Sequence, residues 1–255
     1  DKVPAQAQLK YPSKHLGFKS EGHGSPEGIM NGFFNEDYAI KMSLESIKDL
    51  RGSNISFLDF ATNCNVASLF NLSNVAPYVD YVLASDMTRT SAPMPFDLWK
   101  KLPDVNYAGY FNDESKSVRD ILIAMVDKYG TEFNSQESKD YAKTEKGKDK
   151  LSKQQLTLFD MAKFPKILGN IGGDEAYETC KKMVKEKSME VESLYYNDGD
   201  TKYLDFKMAI PVLFPQYTSF TQDWQNFAIR LMSNRGEYQW ETDLPKGMTI
   251  TRKWD

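Results

Sequence analysis

The stretch Ile55-Ser56-Phe57-Leu58-Asp59-Phe60-Ala61-Thr62-Asn63-Cys64 decides the fold. Its first six residues are short, apolar and rich in β-formers, so they predict a buried strand. The strand stops at Ala61-Thr62-Asn63-Cys64-Asn65. Upstream, Ile40, Leu44, Ile47 and Leu50 recur at helical spacing opposite Lys41, Glu45 and Lys48. That pattern predicts a helix from Asp37 to Leu50, ended by Arg51-Gly52. Before it, Leu16 to Ser20 reads as a short strand, followed by the turn-rich Glu21-Gly22-His23-Gly24-Ser25-Pro26. A strand–helix–strand unit with a right-handed crossover makes its strands parallel. Residues leaving each strand then emerge at one edge of the sheet, where open α/β sheets build their sites. His23 leaves the first strand and Cys64 the second. An imidazole and a thiol are therefore expected to converge, as a nucleophile and its base require.

Further along, Tyr78 to Ala84 predicts a strand running into Ser85-Asp86. Ser117 to Tyr129 predicts the clearest helix, with Val118, Ile121, Leu122, Met125, Val126 and Tyr129 on one stripe and Gly130 as the stop. Gln155 to Met161 alternates like a strand. Pro165 to Lys187 reads as a helix broken at Gly172-Gly173. Ala209 to Phe214 reads as a late strand, with Pro211 at an edge or bulge, and Phe220 to Met232 as a helix. The alternation of strands and helices predicts an α/β fold with a largely parallel sheet. Residues 1–15, punctuated by Pro4 and Pro12, read as a tail or linker. Residues 16–130 form the expected core and residues 131–153, rich in Lys, Glu, Asp and Ser, a mobile charged linker. Residues 154–255 complete the same domain or form a closely packed subdomain.

A chain of 255 residues suits one large domain or two small ones. With 40% hydrophobic and 27% charged residues, global disorder, collagen and coiled coil are excluded. The balance of 32 basic against 36 acidic residues leaves a net charge of −4, with no basic excess for nucleic acid or an anionic membrane. No apolar run approaches the roughly 20 residues that span a bilayer. The first residue is Asp1, as expected of a processed chain, so a removed signal peptide would leave no trace.

The only cysteines are Cys64 and Cys180 and the only histidines His15 and His23. Two cysteines are too few for a disulfide scaffold or a cysteine-rich zinc site, and no metal ligands are assigned. Cys180 shares helical spacing with Ala176, Met183 and Val184, which describes a packed thiol. His15 has polar neighbours, which describes a surface histidine. Gly169 with Gly172-Gly173 lacks the Lys-Ser/Thr of a phosphate loop. A cysteine after an apolar strand is ordinarily a small core residue, and that plainer reading stands beside the thiol–imidazole pair. If the pair operates, Gly24 has a use. Without a side chain, its N–H can approach a carbonyl oxygen and form an oxyanion hole with the N–H of Cys64, worth roughly 3–4 kcal/mol per strong donor. The chemistry would be thiolate attack on a peptide carbonyl, an acyl-enzyme, and hydrolysis.

His23-Gly24, followed by a strand ending in Asn63-Cys64, resembles the caspase-like cysteine peptidases. Other segments are similar to the clostripain-like family among them. Tyr81-Val82-Leu83-Ala84-Ser85-Asp86, with Pro93, Pro95-Phe96-Asp97 and Trp99, resembles its "VASE…P…WPY…W" segment. Gln155-Leu156-Thr157-Leu158-Phe159-Asp160 resembles its "TLSAID" strand, and Tyr203-Leu204-Asp205-Phe206 its "VDLYDF" piece. Ile210-Pro211-Val212-Leu213-Phe214-Pro215, then Trp224 and Phe227, is similar to its "SIYFP…W..F" strand and helix.

The resemblance covers residues 16–232 in order. It implies a caspase-like fold, a mostly parallel sheet flanked by helices, with a C-terminal α/β extension. It implies a cysteine endopeptidase in which Cys64 is the nucleophile and His23 the general base, acting on protein or peptide substrates. It also implies secretion or cell-surface location of bacterial type, maturation of a zymogen by self-cleavage, and in some members calcium. Two departures follow. The family places Asp two residues before the nucleophile, where it binds Arg or Lys at the cleavage site; here that position is Thr62. Asp86 is the remaining acidic candidate for the pocket, and a single partly solvated carboxylate there would select a basic side chain weakly. The fold also has a strand and helix before the histidine strand, which the short stretch ahead of His23 does not supply. A separate light chain from the same precursor, a removed segment or a trimmed terminus would account for that, leaving a sheet edge uncovered. Both departures motivate the alternative of an inactive relative that binds peptide or a partner protein.

Overall fold

The first strands are short: β1 (Gly17–Lys19), β2 (Gly24–Ser25) and β3 (Gly28–Ile29). They belong to a computed structural model that describes residues 15–20, 22–29, 36–87, 96–103, 107–113, 115–144, 154–198, 200–234 and 247–253. The expected tail over 1–14, Pro93, Pro95 and residues 145–153 of the expected linker lie outside the described residues. Helix α1 (Glu36–Arg51) buries Leu44 and Ile47 and ends at Gly52, whose φ of +67° lies in the left-handed region that favours glycine. Leu50 departs from the expected stripe and is 52% exposed.

Strand β4 (Ile55–Asp59) is buried throughout, as its apolar run requires. Helix α2 (Leu69–Val75) starts where the Ser68 hydroxyl accepts from the Asn71 N–H, and β5 (Val79–Ala84) follows. The crossover rule holds. β1 runs parallel to β4, with Phe18 opposite Leu58, and β4 parallel to β5, with Leu58 opposite Val82.

Helix α3 (Val118–Phe133) is capped by Ser117 and carries the expected stripe, but it does not stop at Gly130. A Cβ at Gly130 would lie 3.0 Å from Met232 Cγ, so this glycine serves close packing against a strand. The stretch expected as a charged linker then forms α4 (Gln136–Ala142). Its Ser135 cap accepts from the Ser138 N–H, and the Ser138 hydroxyl donates to Glu132 O at 2.5 Å. A polar helix held by caps has no apolar stripe to announce it.

Strand β6 (Gln154–Asp160) precedes α5 (Phe164–Ile171) and α6 (Ala176–Glu186), which part at Gly172 and Gly173 as expected, with φ of +128° and +62°. After β7 (Tyr195–Asp198) and β8 (Thr201–Asp205), the expected strand over 209–214 is instead helix α7 (Phe206–Leu213). Its N-cap Asp205 accepts from the Met208 N–H at 2.8 Å. Phe206, Ala209, Ile210 and Leu213 are buried while Met208 and Pro211 are exposed, a helical period hidden inside a continuous apolar run. Helix α8 (Phe220–Phe227) stops midway through its expected span, and β9 (Ala228–Asn234) continues it, pairing antiparallel with β6. The last strand is β10 (Thr249–Arg252).

The main sheet has the order β1-β4-β5-β6-β9. β6 is antiparallel to both neighbours, so the other strands point one way. Along β5, Val82 and Ala84 join the core under α1, α2, α5 and α8, while Tyr81 and Leu83 join the core under α3. The sheet is thus flanked by helices on both faces, a caspase-like α/β arrangement. The small antiparallel sheet β10-β8-β7 forms the C-terminal extension.

Candidate active site

The ladder between β1 and β4 ends at Lys19 and Asp59, and the Ser20 N–H adds a last bond to Asp59 O at 2.9 Å. Buried Asp59 turns the chain by accepting from the Ala61 N–H at 2.8 Å. The loop then runs beside the exit of β5. Asn65 donates to Met87 O at 3.1 Å and Ala67 to Ser85 O at 2.8 Å. Asn65 has φ of +53°, a left-handed conformation that Asn tolerates. Cys64 therefore sits in a fixed turn between the exits of β1 and β5, partly exposed and free of any disulfide.

His23 lies in the loop leaving β1 and is exposed. The Asn63 amide donates to His23 O at 3.3 Å. A Cβ on Gly24 would lie 2.3 Å from Cys64 O and 2.5 Å from Val66 Cγ2. The backbones of residues 23–24 and 63–66 are therefore in contact, and the structure brings His23, Gly24, Thr62 and Cys64 to one sheet edge. Thr62 is half-buried and its hydroxyl donates to Ser20 O at 3.1 Å. Tyr203 on β8, invisible as a site residue in the sequence, lies within the electrostatic reach of Cys64. Its phenol is pushed up chiefly by burial, then by Asp198, with Cys64 adding a smaller push. No local motif links β8 to the Cys64 loop.

The other residues stand apart. Cys180 is buried in α6, where desolvation pushes its thiol up to about 12. His15 is exposed, with Nδ1 3.4 Å from Ser56 Oγ. Asp86 is fully buried rather than partly solvated. It accepts from the Gln155 amide at 2.9 and 3.2 Å and from the Gly247 N–H at 3.0 Å. Burial first, and the nearby Asp205 carboxyl second, push its pKa up to about 8, against the downward pull of those donors. A carboxyl enclosed in this way does not face a substrate side chain. Gln155 and Gly247 are far from Asp86 in sequence, so this enclosure could not be read from the segment around it.

The raised value has a sign that can be checked. Between its ordinary 3.8 and about 8, Asp86 keeps a proton in the folded chain that the unfolded chain has lost. Stability should therefore fall as pH rises across that window, by at most about 1.4 kcal/mol per pH unit, and level off above it. The thermal midpoint of the wild type should fall relative to that of Asp86→Asn as pH rises across that window. Parallel curves would contradict the assignment.

Among the described residues, no group of three or more His, Cys, Asp or Glu is arranged to hold a metal ion. No described helix is long and apolar enough to cross a membrane.

No protein-family model matches the sequence, and no curated protein does. Solved structures do match. A secreted C11 cysteine protease from Bacteroides thetaiotaomicron, bound to an irreversible peptide inhibitor, superposes with a TM-score of 0.64 at 12% identity, over 97% of this chain and 68% of that one. An inactive zymogen C11 protease from Parabacteroides distasonis gives 0.56 at 14% identity, over 98% and 68%. A clostripain from Bacteroides thetaiotaomicron bound to the peptide inhibitor BTN-VLTK-AOMK gives 0.52 at 10% identity, over 87% and 89%. The fold is that of the C11, or clostripain-like, cysteine proteases.

Proposed function

We propose that the chain is a cysteine endopeptidase in which Cys64 is the nucleophile and His23 the general base. The observation that carries this reading is the contact of the His23-Gly24 backbone with the Cys64 turn, at the strand exits of a C11-type fold. His23 takes the thiol proton, the thiolate attacks the peptide carbonyl, and the amine leaves with that proton. Water then hydrolyses the acyl-enzyme, while the N–H groups of Gly24 and Cys64 hold the oxyanion. Substrates are proteins or peptides, and the natural setting is outside a bacterial cell after maturation of a zymogen. A light chain from the same precursor would pair along β1, an edge strand of the sheet among the described residues. With Asp86 enclosed and the Thr62 hydroxyl engaged by Ser20 O, the preference for a basic side chain before the cleaved bond is weak.

Alkylation tests the pair without a known substrate. Iodoacetamide at neutral pH should label Cys64 at least about tenfold faster than Cys180, and His23→Ala should remove most of that advantage. Equal labelling of the two thiols, or no effect of His23→Ala, would favour the alternative of an inactive peptide-binding relative.

A further inference from the structure

Both reactive groups lie beyond the end of the β1–β4 ladder, on loops that no strand pairing holds together. A row of side-chain donors from the Cys64 side holds them instead. Thr62 Oγ1 donates to Ser20 O at 3.1 Å, and Asn63 Nδ2 to His23 O at 3.3 Å and Ser20 Oγ at 3.4 Å. Asn71 Nδ2 donates to Ser25 O at 2.8 Å and Ser68 Oγ to Pro26 O at 2.5 Å. The hairpin of β2 and β3 that follows His23 is thus gripped at successive carbonyls by residues 62–71.

Asn63 stands out in this row. It is fully buried next to Cys64, and both N–H groups of its amide point at the His23 loop. The carbonyl partner identifies the donating end as nitrogen. Its Oδ1 is buried and finds no hydrogen-bond partner among the described residues. An enclosed, unsatisfied oxygen is unfavourable, so packing alone would favour an apolar residue at this position.

We propose that Asn63 and Thr62 are positioning residues that set His23 against Cys64 through the backbone carbonyls of His23 and Ser20. The inference rests on the peptidase reading and gives Thr62 a role that does not involve substrate. A displacement of about 1 Å between a base and its nucleophile costs on the order of a hundredfold in rate. The pair acts through His23, so its loss should appear in the chemical step and leave substrate binding in place.

The test compares Thr62→Val, Thr62→Ser and Asn63→Leu with the wild type. It reads kcat, KM, the rate of Cys64 alkylation and the thermal midpoint. Asn63→Leu keeps the shape and removes the donors; Thr62→Val does the same for the hydroxyl. The expected result is a fall in kcat of about a hundredfold for Asn63→Leu, with KM within about threefold. Alkylation of Cys64 should slow about tenfold. Thr62→Val should show a smaller loss that Thr62→Ser, which restores the hydroxyl, recovers. Unchanged kcat and alkylation in folded Asn63→Leu would overturn the proposal. So would losses that follow the thermal midpoint alone and are not recovered by Thr62→Ser. If Asn63→Leu fails to fold, the Thr62 pair decides by the same criteria. Wild-type alkylation that is indifferent to His23→Ala would instead sink the peptidase reading itself.

Discussion

Replacing Cys64 by Ala is expected to remove peptide hydrolysis, lowering kcat/KM by about ten-thousandfold or more. The size of the effect follows from covalent catalysis. Without the sulfur there is no acyl-enzyme, and the N–H groups left in the site can only polarise a carbonyl for attack by water. Cys180 cannot substitute. It is buried in α6 among core residues, with its thiol pushed up to about 12, so it supplies almost no thiolate at neutral pH. The fold should tolerate the change, because Cys64 lies partly exposed in a turn fixed by backbone bonds on either side of it. Loss of activity with an unchanged thermal midpoint is the expected pattern.

The second large effect is at Gly24. A Cβ there would stand 2.3 Å from Cys64 O and 2.5 Å from Val66 Cγ2. The first neighbour is backbone and cannot swing aside as a long side chain would. Gly24→Ala must therefore push the His23 loop away from the Cys64 turn. Overpacking of this kind costs about 1–3 kcal/mol of stability. The activity loss should be larger in proportion, on the order of a hundredfold, because in the proposed mechanism the displaced groups are the reacting ones and a donor to the oxyanion. A Gly24→Ala enzyme with wild-type kcat would show that the two loops do not need this close approach.

The part of the fold that carries the site was legible because its signals are local. A short apolar run gave β4, a helical stripe gave α1, and the crossover rule placed the exits of β1 and β4 side by side. The errors fall where the signal is ambiguous. The run from Met208 to Phe214 is apolar whether read at a period of 2 or 3.6, and the Asp205 cap favours the helix. Ala228 to Asn234 is a strand because β6 offers it a partner, which no window of sequence contains. Residues 136–142 form a helix without an apolar stripe, held at its start by Ser135. The approach of the His23 loop to the Cys64 turn was legible from topology. The donors of Thr62 and Asn63, the enclosure of Asp86 and the approach of Tyr203 were not, because each depends on segments brought together only by the folded chain.

The most direct test of the account is digestion of a mixed peptide library by the wild type, His23→Ala and Cys64→Ala in parallel, with fragments identified by mass spectrometry. New fragments with wild type, and almost none with either variant, are the predicted result. The same fragments at the same rate from Cys64→Ala would contradict it.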